Sequence, residues 1–187
     1  KGVAERRRAA FGRDKVLPVA AGIGGGSADA AAGLRLLARL NGLSLDDSRL
    51  REAALSTGAD VPVCLASYAC DMTGVGENLM PLSLPQLPCV LVNPRVPVAT
   101  RDVFAALGLK AGDVFGADQR AAAVAWPDAM AAGDWLRAIA AGRNDLEPPA
   151  LRIQPIIGQV LATLRGSSGC QLARMSGSGA TCFGLFS

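Results

Sequence analysis

The sequence predicts an α+β fold, and three observations support this class. Half of the 187 residues are hydrophobic, so the chain can bury a sizeable core. Helical and strand patterns follow one another without a regular strand–helix–strand alternation, which favours α+β over a doubly wound parallel sheet. No repeat of solenoid period recurs along the chain.

Composition excludes several classes of function. The chain contains no histidine, which removes Ser-His-Asp and Cys-His catalysis and histidine-based zinc sites. The net charge is only +3, and aromatic residues make up 4%, so the sequence lacks stacking surfaces for single-stranded nucleic acid. The basic run Arg6–Arg8 is typical of a solvated segment. Nucleic acid is therefore not an expected partner.

Apolar runs and cysteines indicate where in the cell the protein is located. No apolar run reaches transmembrane length and no signal-peptide pattern opens the chain, so we expect no membrane association. The five cysteines are odd in number and share no CxxC spacing. Mostly apolar surroundings predict buried free thiols, and we expect a cytoplasmic protein.

The first half of the chain predicts two helices and a pair of strands. Residues 28–41 have a helical apolar face, with Ser27 as N-cap, Asp29 near the positive end and Gly42 as the stop. A second helix over 45–56 begins at the capping-box-like run 44–47 and ends at Gly58. Around Pro62 the sequence is ambiguous between a first helical turn and a strand edge. A strand, a glycine turn and a second strand follow Tyr68.

The second half begins with the buried-strand pattern LPCVLVNP at 87–94. A soft domain boundary follows, which divides the chain into 1–92 and 93–187. ATRDVFAAL at 99–107 predicts a short helix, and 108–119 a loop. Helices are expected around Trp126 and Trp135, and from Pro155 to near Gly166. The segment LARMSGSGATCFGLF at 172–186 predicts a strand, a tight glycine turn and a strand.

The stretch VAAGIGGGSADAAAG at 19–33 places four glycines just before Ser27. A glycine loop that enters a capped helix can bind an anion through backbone N–H groups. A Walker A loop is excluded, because no lysine precedes Ser27. A dinucleotide fingerprint matches only in part, because its third glycine is missing and the following Asp46 and Asp47 come after a helix. A phosphate cradle of a kinase without a P-loop and a tight packing turn both remain.

Two further motifs have a structural and a functional interpretation each. Gly58-Ala59-Asp60-Val61-Pro62 presents one carboxylate, as a helix N-cap or as a catalytic group. The segment SGSGA at 176–180 is a hairpin turn or an active-site loop.

Taken together and in this order, the three motifs resemble the GHMP kinase superfamily. The closest similarity is to its branch that acts on a cytidine diphosphate-linked methylerythritol in non-mevalonate isoprenoid synthesis. The similar segments are KVLPVAAGIGGGSADAAAGLRLLARLNGL, TGADVPVCL, TGVGENLMPL, NPRVPVATRDVF, NDLEPPA and ARMSGSGATCFGLF. The resemblance implies a GHMP kinase fold, a two-domain α/β sandwich with the active site between an ATP-binding N-terminal and a C-terminal domain.

The resemblance also implies roles for individual residues. The ATP-binding residues would be Pro18, Ala21, Gly22, Ile23, Gly24, Gly25, Gly26 and Ser27. Ser27 would in addition contact Mg²⁺, and Asp60 would accept the proton of the substrate hydroxyl. Gly177, Ser178 and Gly179 would form a loop over the active site. The implied partners are ATP and the cytidine diphosphate-linked substrate, with the protein a monomer or a homodimer.

The chain departs from the family pattern in two places. Ala28 stands where the family usually has a second Ser, and no segment matches the family's early lysine motif. Neither Lys1 nor Lys15 is assigned as catalytic, and substrate contacts are left open. The opening lacks a Met and the chain stops after a strand, so we expect a fragment with poor or no activity. Another GHMP-type kinase and a catalytically inactive nucleotide-binding module remain as alternatives.

Overall fold

A computed structural model describes residues 7–14, 21–109, 126 and 131–187. These residues form two compact units. The first contains Gly24–Leu82 with residues 7–14, and the second contains Ser83–Ser187 with residues 21–23. Both units combine helices with antiparallel strands. Within the described part of the chain, no helix is long and apolar enough to cross a membrane.

The first unit consists of three helices followed by a β-hairpin. Its elements are α1 (Gly25–Leu40), α2 (Ser48–Thr57), α3 (Val61–Ala66), β1 (Cys70–Thr73) and β2 (Asn78–Pro81). Small and aliphatic side chains let the helices approach closely around one core: Ala31, Ala38, Leu50, Ala54, Val61 and Leu65. The predicted hairpin after Tyr68 is confirmed, with Thr73 opposite Asn78 beside the turn.

The predicted start of α1 is wrong by about one turn. The helix begins at Gly25, and Gly24 is the N-cap in the left-handed conformation, with φ +66°. Ser27 therefore lies inside the first turn and caps nothing. Asp29 lies beyond the first turn and pairs with Arg13 at 3.1 Å. The stop is confirmed, because Gly42 follows the helix with φ +64°, a conformation that glycine adopts at little cost.

The start of α2 also differs from the prediction. Asp47 is the N-cap and accepts the N–H of Arg49 at 3.0 Å. The Ser44 hydroxyl instead accepts the N–H of Asp46 at 3.2 Å, ahead of the helix. Gly58 ends α2 as predicted. The ambiguity at Pro62 is resolved, because this residue lies in the first turn of α3, where its missing N–H has no helical acceptor to lose.

The second unit packs helices on a three-stranded antiparallel sheet of order β3-β5-β4. Its elements are β3 (Cys89–Val92), α4 (Thr100–Leu107), α5 (Ala132–Ala141), α6 (Glu147–Ile153), α7 (Ile156–Gly166), β4 (Cys170–Met175) and β5 (Cys182–Phe186). The predicted strands, α4, the helix at Trp135 and α7 are confirmed. Most of the predicted loop at 108–119, and the surroundings of Trp126, lie outside the described residues.

The sheet and α7 bury the core of the second unit, in which Ile157, Leu161 and Met175 are almost fully enclosed. All five cysteines are free, as predicted, but only Cys182 is buried. Cys89 is exposed on the edge strand β3, and the other three are half-buried. The prediction of buried thiols was therefore wrong for most positions, because apolar sequence neighbours do not ensure that a side chain faces the core.

Candidate functional site

The first turn of α1 contains backbone donors that have no acceptor within the helix. The first helical hydrogen bond runs from the N–H of Ala28 to the carbonyl of Gly24, at 2.8 Å. The N–H groups of Gly25, Gly26 and Ser27 precede it and have no acceptor within the helix. Within the described part of the chain, no side chain caps this end. A Cβ built on Gly24 or Gly26 would meet no described residue within 4 Å, which leaves room there for a ligand to approach the backbone.

The charge distribution of α1 favours a negative ligand at this end. The helix has 16 residues, and its first turn contains no acidic side chain. Aligned peptide dipoles give the N-terminus of such a helix a partial positive charge. Backbone donors, accessible space and positive potential thus coincide where the sequence predicts a phosphate cradle.

Gly22, which precedes this turn, is closely surrounded by backbone atoms. Its φ is +71°, and a Cβ on it would lie 2.4 Å from the carbonyl oxygen of Gly179 and 2.8 Å from that of Ser176. The Ser176 hydroxyl donates to the carbonyl of Gly22 at 2.7 Å. The fold thus brings Gly22 into contact with Ser176 and Gly179, which flank or belong to the predicted loop at 177–179, across more than 150 sequence positions.

Thr181 makes a further contact beside this one, with Ala21. Its N–H donates to the carbonyl of Ala21 at 3.2 Å, and its hydroxyl donates to the same oxygen. The Asn93 amide donates to the Thr181 hydroxyl oxygen at 2.8 Å. Thr181 is buried, so its polar groups are satisfied within the protein.

The loop between β4 and β5 is also held from α4 and from the segment before α6. Buried Ser178 shares a 2.9 Å hydrogen bond with Thr100. The Asn144 amide donates to the carbonyls of Gly177 at 2.8 Å and Met175 at 3.0 Å. Sequence reasoning did not single out Thr100 or Asn144. Their only signal was their position in NPRVPVATRDVF and NDLEPPA, two segments that carry the family resemblance.

Asp60 occupies the N-cap position of α3, but its side chain makes no capping hydrogen bond. The residue is exposed, and among the described residues no hydrogen bond to its carboxylate is found. The carboxylate acts on Cys64 one turn later: burial of that thiol raises its pKa, and the negative charge of Asp60 raises it further. The expected helix-capping role is thus not performed, and the carboxylate is accessible to a ligand.

α1 and α3 pack against each other within the first unit. Ala31 and Val61 share its core. The Arg35 guanidinium, in the middle of α1, donates to the carbonyls of Cys64 at 2.7 Å and Leu65 at 3.2 Å in α3. The first turn that contains Ser27 and the turn that contains Asp60 therefore belong to two helices joined by a shared core and by the Arg35 hydrogen bonds.

The predicted site residues divide between the two units. Residues 24–27 and Asp60 belong to the first, and residues 21–23 and 177–179 to the second. Pro18 lies outside the described residues. Within the described part of the chain, no group of three His, Cys, Asp or Glu residues could hold a metal ion. The Mg²⁺ contact of Ser27 stays a prediction, and its half-buried hydroxyl is an oxygen ligand of the kind this ion prefers.

Two family models match this chain. The GHMP kinases N terminal domain matches residues 5–68, and the GHMP kinases C terminal domain matches residues 121–187. The chain belongs to the GHMP kinase family. The N-terminal match includes the glycine cradle and Asp60, and the C-terminal match includes Asn144 and the loop at 177–179. The predicted family and its fold are thereby confirmed.

Similar GHMP kinases are known in several bacteria. The 4-diphosphocytidyl-2-C-methyl-D-erythritol kinase of Bradyrhizobium sp. (strain ORS 278) is 70% identical over 179 residues, which cover 95% of this chain and 60% of that protein. The enzyme of the same name from Nitrobacter winogradskyi is 63% identical over 186 residues, 98% of this chain and 60% of that protein. The chain thus spans about 60% of the length of these curated relatives.

A solved structure shows the same fold as this GHMP kinase chain. It is a crystal structure of 4-(cytidine 5'-diphospho)-2C-methyl-D-erythritol kinase, with 34% sequence identity and a TM-score of 0.64. The match covers 92% of this chain and 59% of the other.

Proposed function

We propose that the protein is an ATP-dependent kinase that phosphorylates the 2-hydroxyl of 4-diphosphocytidyl-2-C-methyl-D-erythritol. The observation that carries the kinase assignment is the N-terminus of α1, where the first N–H groups lack helical acceptors and, among the described residues, a Cβ on Gly24 or Gly26 would meet nothing within 4 Å. The substrate assignment is supported by the names of relatives that are 62–70% identical to this chain. Family membership supports the use of ATP.

In this proposal the first turn of α1 holds the triphosphate. ATP supplies the phosphoryl group. The N–H groups of Gly25, Gly26 and Ser27 donate to phosphate oxygens, and the helix dipole offsets part of their charge. The Ser27 hydroxyl contributes an oxygen ligand to Mg²⁺. Fixed backbone donors suit two anionic substrates on a protein whose net charge is only +3.

Asp60 serves as the base. Its carboxylate accepts the proton of the substrate 2-hydroxyl while that oxygen bonds to the γ-phosphorus and the bond to ADP breaks. Because phosphoryl transfer needs little covalent help, the main task of the protein is to position these groups. The hydrogen bonds of Asn144 and Thr100 hold the loop at 177–179, and exposed Gly177 is the position at which this loop meets a ligand. We place the protein in the cytoplasm, where its five free thiols stay reduced.

A coupled ADP-release assay on the full-length protein tests the substrate. It uses Mg-ATP with 4-diphosphocytidyl-2-C-methyl-D-erythritol, and with mevalonate and homoserine as controls. ADP release with only the first compound is the expected result. Release with another acceptor would indicate a different GHMP-type kinase. ATP binding without release would indicate an inactive nucleotide-binding module.

Asp60→Asn tests the mechanism. Removal of a positioned base lowers turnover by about 10²–10⁴-fold, and ATP affinity is retained because the backbone cradle is unchanged. The measurement is kcat together with ATP binding by calorimetry. Asp46→Asn is the matched control, since Asp46 is a highly exposed carboxylate of the same unit that pairs with Arg51 at 2.8 Å. Equal turnover in wild type and Asp60→Asn would contradict the assignment of the base.

A further inference from the structure

The turn between β1 and β2 packs against the backbone that precedes Asp60. Gly76 in this turn is buried and has φ +99°. A Cβ built on it would lie 2.1 Å from the carbonyl oxygen of Ala59, 2.9 Å from its carbonyl carbon and 3.2 Å from its Cα. The first two distances are shorter than real Cβ atoms essentially ever show. All three neighbours are backbone atoms, so no side-chain rotation can relieve the overlap.

The turn itself is firmly placed. The pairing of Thr73 with Asn78 closes the turn where it joins the two strands. The Glu77 carboxylate accepts the N–H of Val75 at 2.6 Å across the turn. At the far end of the hairpin, the N–H of Leu82 donates to the carbonyl of Ala69 at 2.8 Å. Gly76 thus contacts Ala59 from a hairpin turn that is closed by hydrogen bonds.

The segment on the other side of the contact carries Asp60. The N–H of Val61 donates to the carbonyl of Gly58 at 3.0 Å, and the Val61 side chain is almost fully buried in the core. Asp60 lies between this anchor and Ala59, and its side chain makes no capping hydrogen bond. The direction of its carboxylate therefore depends on the backbone at 59–60.

We propose that Gly76 is a positioning residue for Asp60, which acts by close contact with the Ala59 backbone. This inference rests on the proposed function, because it assigns a support to the proposed base. Only glycine fits at position 76, since any Cβ would push the Ala59–Asp60 peptide outward and move the carboxylate relative to the first turn of α1.

Gly76→Ala in the full-length protein is the test, and Gly42→Ala is its matched control. Gly42 follows α1 in the same unit with φ +64°, so alanine is similarly strained there. Among the described residues, a Cβ on Gly42 would meet nothing within 4 Å. We expect Gly76→Ala to lower kcat by about 10–100-fold with little change in the KM for ATP. Gly42→Ala is expected to keep kcat within about twofold of wild type, although its melting temperature falls as well.

Gly76→Ala in the Asp60→Asn background shows whether the loss of kcat comes from a displaced Asp60 or from general disruption of the fold. If Gly76 acts through Asp60, Gly76→Ala causes no further loss of kcat once the carboxylate is gone. An equal fold-loss in both backgrounds would overturn the inference.

A readout that does not depend on activity is the pKa of Cys64, measured from the pH dependence of alkylation with peptide-resolved mass spectrometry. The Asp60 charge raises this pKa, so Asp60→Asn lowers it. Gly76→Ala is expected to change it, and Gly42→Ala to leave it unchanged. An unchanged Cys64 pKa in Gly76→Ala would overturn the inference. A changed pKa together with full activity of Asp60→Asn would retain the contact and reject the proposed base.

Discussion

Two parts of one glycine run have opposite surroundings. Gly22 packs against the backbone of Ser176 and Gly179, whereas no described residue lies within 4 Å of where a Cβ would be on Gly24 or Gly26. At Gly22 the missing side chain permits packing within the protein. At the other two positions it leaves backbone donors accessible from outside. A glycine motif therefore need not have a single purpose, and only three-dimensional contacts separate its parts.

The segment that packs against Gly22 is continued by residues that are buried. Ser178, Gly179, Ala180 and Thr181 are buried, and Cys182 follows with its side chain fully enclosed. Burial raises the pKa of the Cys182 thiol to about 11, and the negative charge of Glu147 contributes to the shift. The start of α1, by contrast, is exposed or half-exposed at residues 24–27. The packed part should thus determine stability, and the open part ligand binding.

Gly22→Ala should have the largest effect on stability. The substitution forces an L-residue into a left-handed conformation and overlaps backbone oxygens, so we expect the free energy of unfolding to fall by about 2–4 kcal/mol. Urea denaturation measures the change. Gly33→Ala is the control, because Gly33 lies within α1 and its Cβ would meet nothing within 4 Å. Equal stability of the two variants would break the distinction between packed and open glycines.

Asn144→Ala should have an intermediate effect on stability. It removes the donors to Met175 and Gly177, and we expect a loss of about 1–3 kcal/mol of unfolding free energy. The same denaturation experiment applies. Gln154→Ala removes a single exposed hydrogen bond to Pro97 in the same unit and should cost less than about 0.5 kcal/mol. If both variants lose equally little, the loop does not depend on Asn144 for its position.

Gly26→Ala should have the smallest effect on stability, and of opposite sign. Alanine within a helix is favoured over glycine by about 0.5–1 kcal/mol, and no atom obstructs the new methyl group. ATP affinity should nevertheless fall about 10-fold, because the methyl group occupies the space in which phosphate approaches the backbone. Gly33→Ala should gain similar stability with unchanged ATP affinity. Unchanged affinity in Gly26→Ala, measured by calorimetry, would mean that phosphates do not approach this turn.

Local sequence patterns predicted most elements but not all of their ends. α4, α7 and both hairpins follow from apolar periodicity bounded by glycine and proline. α6 was missed because Pro148 and Pro149 suggest a break, although proline is well tolerated in a first turn. The start of α1 was misplaced because Ser27 is a good N-cap by type, whereas the left-handed Gly24 ends the loop three residues earlier.

The candidate site was predictable only where its residues form compact motifs. The glycine run and Asp60 have recognisable neighbours in sequence. Thr100 and Asn144, which hold the loop at 177–179, have no recognisable neighbours in sequence. Thr100 bonds to Ser178 across 78 positions, and Asn144 bonds to Gly177 across 33. The contact between Gly76 and Ala59 is of the same kind, since a glycine in a hairpin turn is expected whether or not another backbone touches it.

The hydrogen bonds that join residues 21 and 22 to residues 176 and 181 have a consequence for synthesis on the ribosome. Gly22 leaves the peptidyl-transferase centre 154 residues before its partner Ser176 is made, a delay of roughly 8–30 s at ordinary elongation rates. All residues of the first unit, which contains residues 24–82, are synthesised well before Ser176. The nascent chain thus contains every partner of Gly24–Gly26 within their unit while Gly22 still lacks its partners in the loop between β4 and β5.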